Sequence, residues 1–238
     1  MAGHSKWANI KHTKSVQDAR KSARFTKIAR KITIATKEGG SGDPELNFRL
    51  RIALEDAKNA NVPKENISRA IAKGLGNLNG VQLESLTYEI VGLRGAGIIV
   101  EAISDNRNRL SQELKSILKD FPSWTLGGGG IAWQFQRVSE ITISKALTDD
   151  SAILFLDYGF ISYKNLDEKT SLILCEVPQR TLLEKQLSIA GIKILESRLG
   201  WSPKMTVSVM NDEKNELCTL IELLEENDDV SGVWHNTI

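Results

Sequence analysis

Within the first twelve residues of this 238-residue chain, His4, Lys6, Lys11 and His12 surround Trp7. An indole can stack on bases while neighbouring cations meet phosphates, so this combination points to nucleic acid. The cationic series runs on through Lys14, Arg20, Lys21, Arg24, Lys27 and Lys31; residues 1–31 hold 9 Lys+Arg against Asp18 alone. Such a row gains free energy by releasing counterions from a phosphate backbone, whatever the base sequence. The competing account has Trp7 and Ile10 pinning the terminus onto the fold with the lysines merely solvated. A secondary candidate phosphate contact is Arg107 with Arg109, in Asp105-Asn106-Arg107-Asn108-Arg109, where a helix N-terminus would favour an anion. Helix capping beside a solvated face is the alternative there.

Catalytic patterns are missing. The three histidines, His4, His12 and His235, show no Ser/His/Asp or Cys/His spacing. Glu222, Glu225, Glu226, Asp228 and Asp229 lack the glycine and spacing of a calcium loop and read as a solvated helix end. The four glycines at 127–130 are followed by no Gly-Lys-Ser/Thr and read as a turn. Cys175 and Cys218 match no metal spacing and read as reduced core residues. The expectation is a non-enzyme with no metal and no cofactor. An enzyme using the Asp105–Arg109 loop and the C-terminal carboxylates is the contrasting class, but no residue assigns it a reaction.

Composition is that of a globular protein, 41% hydrophobic and 26% charged. No membrane span or signal core is readable, which predicts a cytoplasmic location, or the mitochondrial matrix for a processed organellar protein. The net charge of +1 conceals a polarity: residues 1–77 hold 16 Lys+Arg against 7 Asp+Glu, and residues 78–238 hold 15 against 23. The two parts are expected to face different partners, DNA or RNA (the ribosome included) for the first and a protein for the acidic C-terminal domains.

Three amphipathic helices must carry the basic segment. The first starts near Ser15 in a capping-box pattern, presents Phe25, Ile28, Ala29, Ile32 and Ala35 inward, and stops at Gly39-Gly40. At about 100° per residue, Arg20, Arg24, Lys27 and Lys31 share a different side. The second passes through Leu46, Leu50, Ala53, Leu54 and Ala57; the third opens at Pro63 and stops at Gly74, before a Gly/Asn-rich linker. Beyond the linker, Leu86–Leu93 and Gly97–Ser104 form a hairpin, Asp105 caps a helix, and Ile131–Phe135 is a strand. From Glu140 the order is β-α-β-β-α-β, ferredoxin-like. A strand at Met205–Val209, a helix through Leu217–Leu224 and a strand at Val230–His235 follow, completing the sheet begun at Leu86. The predicted fold class is α+β and multidomain: a three-helix bundle over 1–80, a discontinuous α/β domain over 81–137 plus 204–238, and a ferredoxin-like domain inserted at 138–203.

Ala2-Gly3-His4-Ser5-Lys6-Trp7-Ala8-Asn9-Ile10-Lys11-His12 resembles the opening signature of the YebC family, whose mitochondrial members include the translational activator of cytochrome c oxidase. The likeness continues through Phe25-Thr26-Lys27, Lys37-Glu38-Gly39-Gly40, Val62-Pro63-Lys64-Glu65-Asn66-Ile67, Asp105–Arg109 and Asp228-Asp229-Val230. The resemblance implies a helical domain, a mixed α/β domain and a ferredoxin-like domain inserted into it. It implies a regulator that binds nucleic acid, either a DNA-binding regulator of transcription or a translation factor on messenger or ribosomal RNA. Two segments depart from the family pattern, Tyr88–Gly95 and Phe121–Leu126, where glycines and prolines expected in the turns are replaced.

Overall fold

The computed structural model describes residues 14–76, 83–127 and 130–238, the side chains of 14–21, 23, 211 and 212 excepted. The arm residues His4, Lys6, Trp7, Lys11 and His12 lie outside the described residues, as do 77–80 of the linker and Gly128-Gly129 of the glycine turn. The chain forms two compact units, one from Met1–Phe135 with Pro203–Ile238 and the other from Gln136–Ser202. It has the α+β, multidomain architecture predicted.

In the first unit, helices α1 (Lys14–Gly39), α2 (Phe48–Asn59) and α3 (Lys64–Gly74) enclose a small core. Ile28, Ile32 and Ala35 of α1 meet Leu50, Ala53 and Ala57 of α2 and Ala70 of α3, the i, i+4, i+7 spacing that puts apolar groups on one helix face. The turn after α1 needs Gly40, whose φ of +65° suits a residue without a β-carbon. Asn47 then joins three segments. Its Oδ1 accepts from Leu50 N at 3.0 Å, capping α2, and its Nδ2 donates to Ala35 O and Ser41 O at 2.9 Å.

The same unit holds an antiparallel sheet ordered β3-β1-β2-β8, from β1 (Glu84–Val91), β2 (Gly97–Ser104), β3 (Thr125–Gly127) and β8 (Val230–His235). Leu110, Leu114 and Leu118 of α4 (Arg107–Leu118) and Leu217, Leu220 and Leu224 of α7 (Asn211–Glu226) cover Ile90, Ile98 and Val100 of the sheet. Since β8 pairs with β2, with Val233 opposite Val100, the C-terminal strand completes a sheet begun far earlier in the chain. Lys204 N donates to Gln134 O at 2.7 Å, and Asn236 joins Gln134, Gly95 and Gly97 through its side-chain amide. The two points where the second unit interrupts this chain are thereby held side by side.

The second unit is a sheet ordered β5-β6-β4-β7 with helices α5 (Asp149–Ile153) and α6 (Arg180–Ile189). Its strands are β4 (Phe135–Ile143), β5 (Phe160–Asn165), β6 (Ser171–Cys175) and β7 (Ile194–Pro203), giving β-α-β-β-α-β along the chain. Ile141, Ile143, Ile173, Cys175, Leu183 and Leu187 form its core. Buried Glu140 is paired there with Arg198 at 2.7 Å.

Several expectations are corrected. Ile131–Phe135 is not a strand: the Glu89 carboxylate takes the N–H groups of Gly130, Ile131 and Ala132, and Ala132–Gln134 tightens into a 3-10 turn before β4. Met205–Val209 forms no strand, only the single bridge of Val207 to Thr237. Asn106, not Asp105, caps α4, its extended backbone letting Oδ1 accept from Arg109 N. The third helix does stop at Gly74, as expected, but the left-handed turn falls at Gly76, and Gly74 is needed because a β-carbon there would come within 2.6 Å of Thr33 O on α1. Cys175 is buried as expected, its thiol pushed up to about 11 by burial, but Cys218 is exposed. It sits about 100° round α7 from Leu217, off the face that Leu217, Leu220 and Leu224 bury.

Candidate nucleic-acid interface

Of the cationic series, the backbone places Lys14, Arg20 and Lys21 on α1, with side chains outside the description. Arg24 is exposed and, among the described residues, has no bonding partner. The next turns of the helix are engaged within the protein. Lys27 Nζ donates to Glu225 O at 2.8 Å, satisfying a carbonyl in the last turn of α7 where a cation also complements the helix dipole. Burial lowers the Lys27 pKa, opposed by the charges of Asp228 and Glu225. Lys31 stands 3.8 Å from Asp56. The predicted stripe is thus open at Arg24 and partly neutralised beyond it.

Arg30, not picked out from the sequence, explains the change. Its guanidinium donates to Asp228 O at 2.9 Å and pairs with the Asp229 carboxylate. Asp229, almost wholly buried, also accepts from Arg109 at 2.6 Å and from the Ser104 hydroxyl at 2.6 Å. One carboxylate therefore ties α1 to the sheet and to α4. Asp105–Arg109 and Asp228-Asp229-Val230, far apart in sequence, meet at this point.

This occupation redefines the secondary phosphate candidate. Arg109 reaches Asp105 at 2.9 Å and Glu113 at 3.0 Å as well as Asp229, and those hydrogen bonds raise its pKa and hold the Asp105 carboxyl below the ordinary range. Three carboxylates leave it little attraction for a phosphate. Arg107 is exposed; its carbonyl accepts from the Tyr88 hydroxyl at 3.2 Å, while its guanidinium has no bonding partner among the described residues.

Sequence reasoning did not pick out two cations of α3. A cleft of about 380 Å³ runs between α1 and α3, with Arg69 and Lys73 on its α3 side and Ser22, Thr26 and Arg30 on its α1 side. The signal was the i, i+4 spacing of Arg69 and Lys73, with Asn66 one turn earlier on the same face. Among the described residues, no group of three or more His, Cys, Asp or Glu side chains could hold a metal ion, and no helix is long and apolar enough to cross a membrane.

A helical basic segment, an antiparallel sheet and an inserted β-α-β-β-α-β unit define a multidomain α+β protein whose cations gather on α1 and α3. Comparison with known proteins is specific: residues 5–77 match the model of the TACO1/YebC protein N-terminal domain, and residues 83–237 match that of the TACO1/YebC second and third domain. The chain belongs to the TACO1/YebC family. It is 42% identical over 240 residues to a probable transcriptional regulatory protein of Thermoanaerobacter pseudethanolicus, covering 99% of this chain and 96% of that one. It is 41% identical to a probable transcriptional regulatory protein of Caldanaerobacter subterraneus subsp. tengcongensis, covering 99% and 98%. Among solved structures, a conserved hypothetical protein from Aquifex aeolicus superposes with a TM-score of 0.83 at 33% identity, over 98% of this chain and 96% of that one.

Proposed function

We propose that this protein is a non-enzymatic regulator of transcription that grips the DNA backbone with its N-terminal arm and the first turns of α1. The observation that carries the reading is the concentration of 9 cations against one acid in residues 1–31, continuing onto the helix at the exposed Arg24. The names of the bacterial relatives agree with it. Lys27 and Lys31 support the surface mainly by fixing α1, since both face carboxylates or carbonyls of the protein itself. If about five cations meet phosphates on duplex DNA, log K should fall against log salt with a slope near −4.5.

The test is a gel-shift titration of the full chain and of a K6E/K11E/R24E variant, with circular dichroism as the folding control. Loss of the shift in a folded variant is expected; undiminished binding overturns the reading. Lys27 is left intact because a glutamate there would face the carbonyl of Glu225 and the charge of Asp228. Crosslinking in cells separates the two nucleic acids. Promoter DNA is the expected enrichment, whereas enrichment of ribosomal RNA alone replaces transcription by translation as the regulated process.

A further inference from the structure

We propose that Arg69 and Lys73 of α3 form a second phosphate contact, on the opposite flank of α1 from Arg24, so that copies of the protein held on one duplex by their arms bridge it to another. The proposal rests on the DNA-binding reading above and adds residues that the arm and its stripe do not contain.

Helix geometry separates the two surfaces. Arg24 lies two residues from both Ser22 and Thr26, which places it about 160° round α1 from either. Seven residues further on, within about 20° of the same directions, packing marks the two sides. Lys31, in line with Arg24, stands 3.8 Å from Asp56 of α2, whereas Thr33, in line with Thr26, donates to Ala70 O of α3 at 3.1 Å. Arg24 therefore belongs to the α2 flank of α1, and Ser22 and Thr26 to the α3 flank. A duplex seated on one flank leaves the other open.

The α3 flank suits phosphate. Its cleft of about 380 Å³ is lined by Arg69 and Lys73, one helical turn apart, and among the described residues by no Asp or Glu. The Arg69 guanidinium and the Lys73 ammonium have no bonding partner among the described residues, while Arg30 beside them is paired with Asp229. The Ser22 hydroxyl and the Asn66 amide add donors for phosphate oxygens. Phosphates lie on the outside of a duplex, so this contact requires neither unstacked bases nor a group that reads them.

Two cations hold a lone duplex weakly. Copies bound along one duplex present many such pairs to a second, and linked contacts reinforce one another by raising the effective concentration. Bridging should therefore appear only where the arm has already gathered the protein on DNA.

The experiment places a biotinylated duplex on beads, adds the full-length protein and then a labelled duplex without biotin, and measures the label recovered. Wild type, R69Q/K73Q and R69Q are compared, with a gel shift of one duplex in parallel and circular dichroism as the folding control. R69Q/K73Q should stay folded and shift a single duplex within about twofold of wild type, yet recover about tenfold less label, with R69Q in between. Added salt should abolish bridging at a lower concentration than it abolishes the gel shift.

Equal loss in both readouts overturns the proposal, since the α3 cations would then share the arm's surface. Undiminished recovery with R69Q/K73Q also overturns it, because bridging would then come from copies pairing with one another. So does recovery of a labelled RNA single strand, offered in the same way, without recovery of the duplex. A wild type that shifts a duplex but recovers no label removes the bridge and keeps the arm, whereas a wild type that shifts none removes both readings.

Discussion

Asp229 shows how one side chain can decide the use of several others. Its carboxylate is 2% exposed and accepts from Arg30, Arg109 and Ser104, while its own N–H is held by the Asn227 side chain. Replacing it by alanine removes the acceptor that a buried hydroxyl and two guanidinium groups share, while Arg109 keeps Asp105 and Glu113 and Arg30 keeps the Asp228 carbonyl. Because the arginines are 27% and 44% exposed, water recovers part of the loss, and we expect Asp229→Ala to cost about 2–3 kcal/mol, read as a lowered urea midpoint. Asp228→Ala is the control, since only its backbone carbonyl meets Arg30 and the substitution should shift the midpoint by less than about 0.5 kcal/mol. A tolerated Asp229→Ala would show that α1 is held in place without this carboxylate. None of this was legible in sequence, where Asp228 and Asp229 read as the solvated end of an acidic run. Sequence spacing places residues on a helix face but cannot bring residue 30 to residue 229.

At the scale of elements, periodicity was a sound guide wherever one face is apolar and the other wet. The stripe Ile28, Ile32, Ala35 is buried as its spacing requires, and Val230–His235 forms the strand expected of it. Failures fall where a tertiary hydrogen bond replaces local preference. Glu89 draws the N–H groups of 130–132 out of strand pairing, and β3 is short enough to carry no period of its own. Gly74 ends α3 as its place in the sequence implies, but it is also a point of close approach, where an added β-carbon would lie 2.6 Å from Thr33 O and 2.6 Å from Thr36 Cβ. Alanine favours a helix over glycine by about 1 kcal/mol, yet backbone cannot move aside as a flexible side chain can. Gly74→Ala should therefore be destabilising by about 1–3 kcal/mol, the usual cost of overpacking, and lower the thermal midpoint. A rise in that midpoint would mean that α1 and α3 separate freely. Such separation would also widen the cleft that Arg69 and Lys73 border.

Over the whole molecule, charge and cohesion are distributed differently from what the halves of the sequence imply. The acidic excess does not belong to the inserted unit, where residues 136–202 hold 8 Lys+Arg against 9 Asp+Glu. It gathers in residues 203–238, with 2 against 8, and that segment folds in the same unit as the basic helices, its Asp229 and Glu225 bound to α1. The apolar clusters of the first unit share no residue with the cluster of the second. A small unit buries a lower fraction of its surface, so Gln136–Ser202 should be the weaker of the two. Leu183 is fully buried in its cluster, and Leu183→Ala there should cost about 2–5 kcal/mol. If each unit unfolds as its own cooperative block, calorimetry of the full chain will show the lower transition displaced by about 10 °C or more and the upper one unmoved. Below both transitions the variant should bind nucleic acid as wild type does, because the inserted unit is nearly neutral and the excess of cations over acids lies in residues 1–31. A single transition that shifts as a whole would show that the two cores unfold together. Weakened binding by a folded Leu183→Ala would assign the inserted unit a share of the interface that its charge does not suggest.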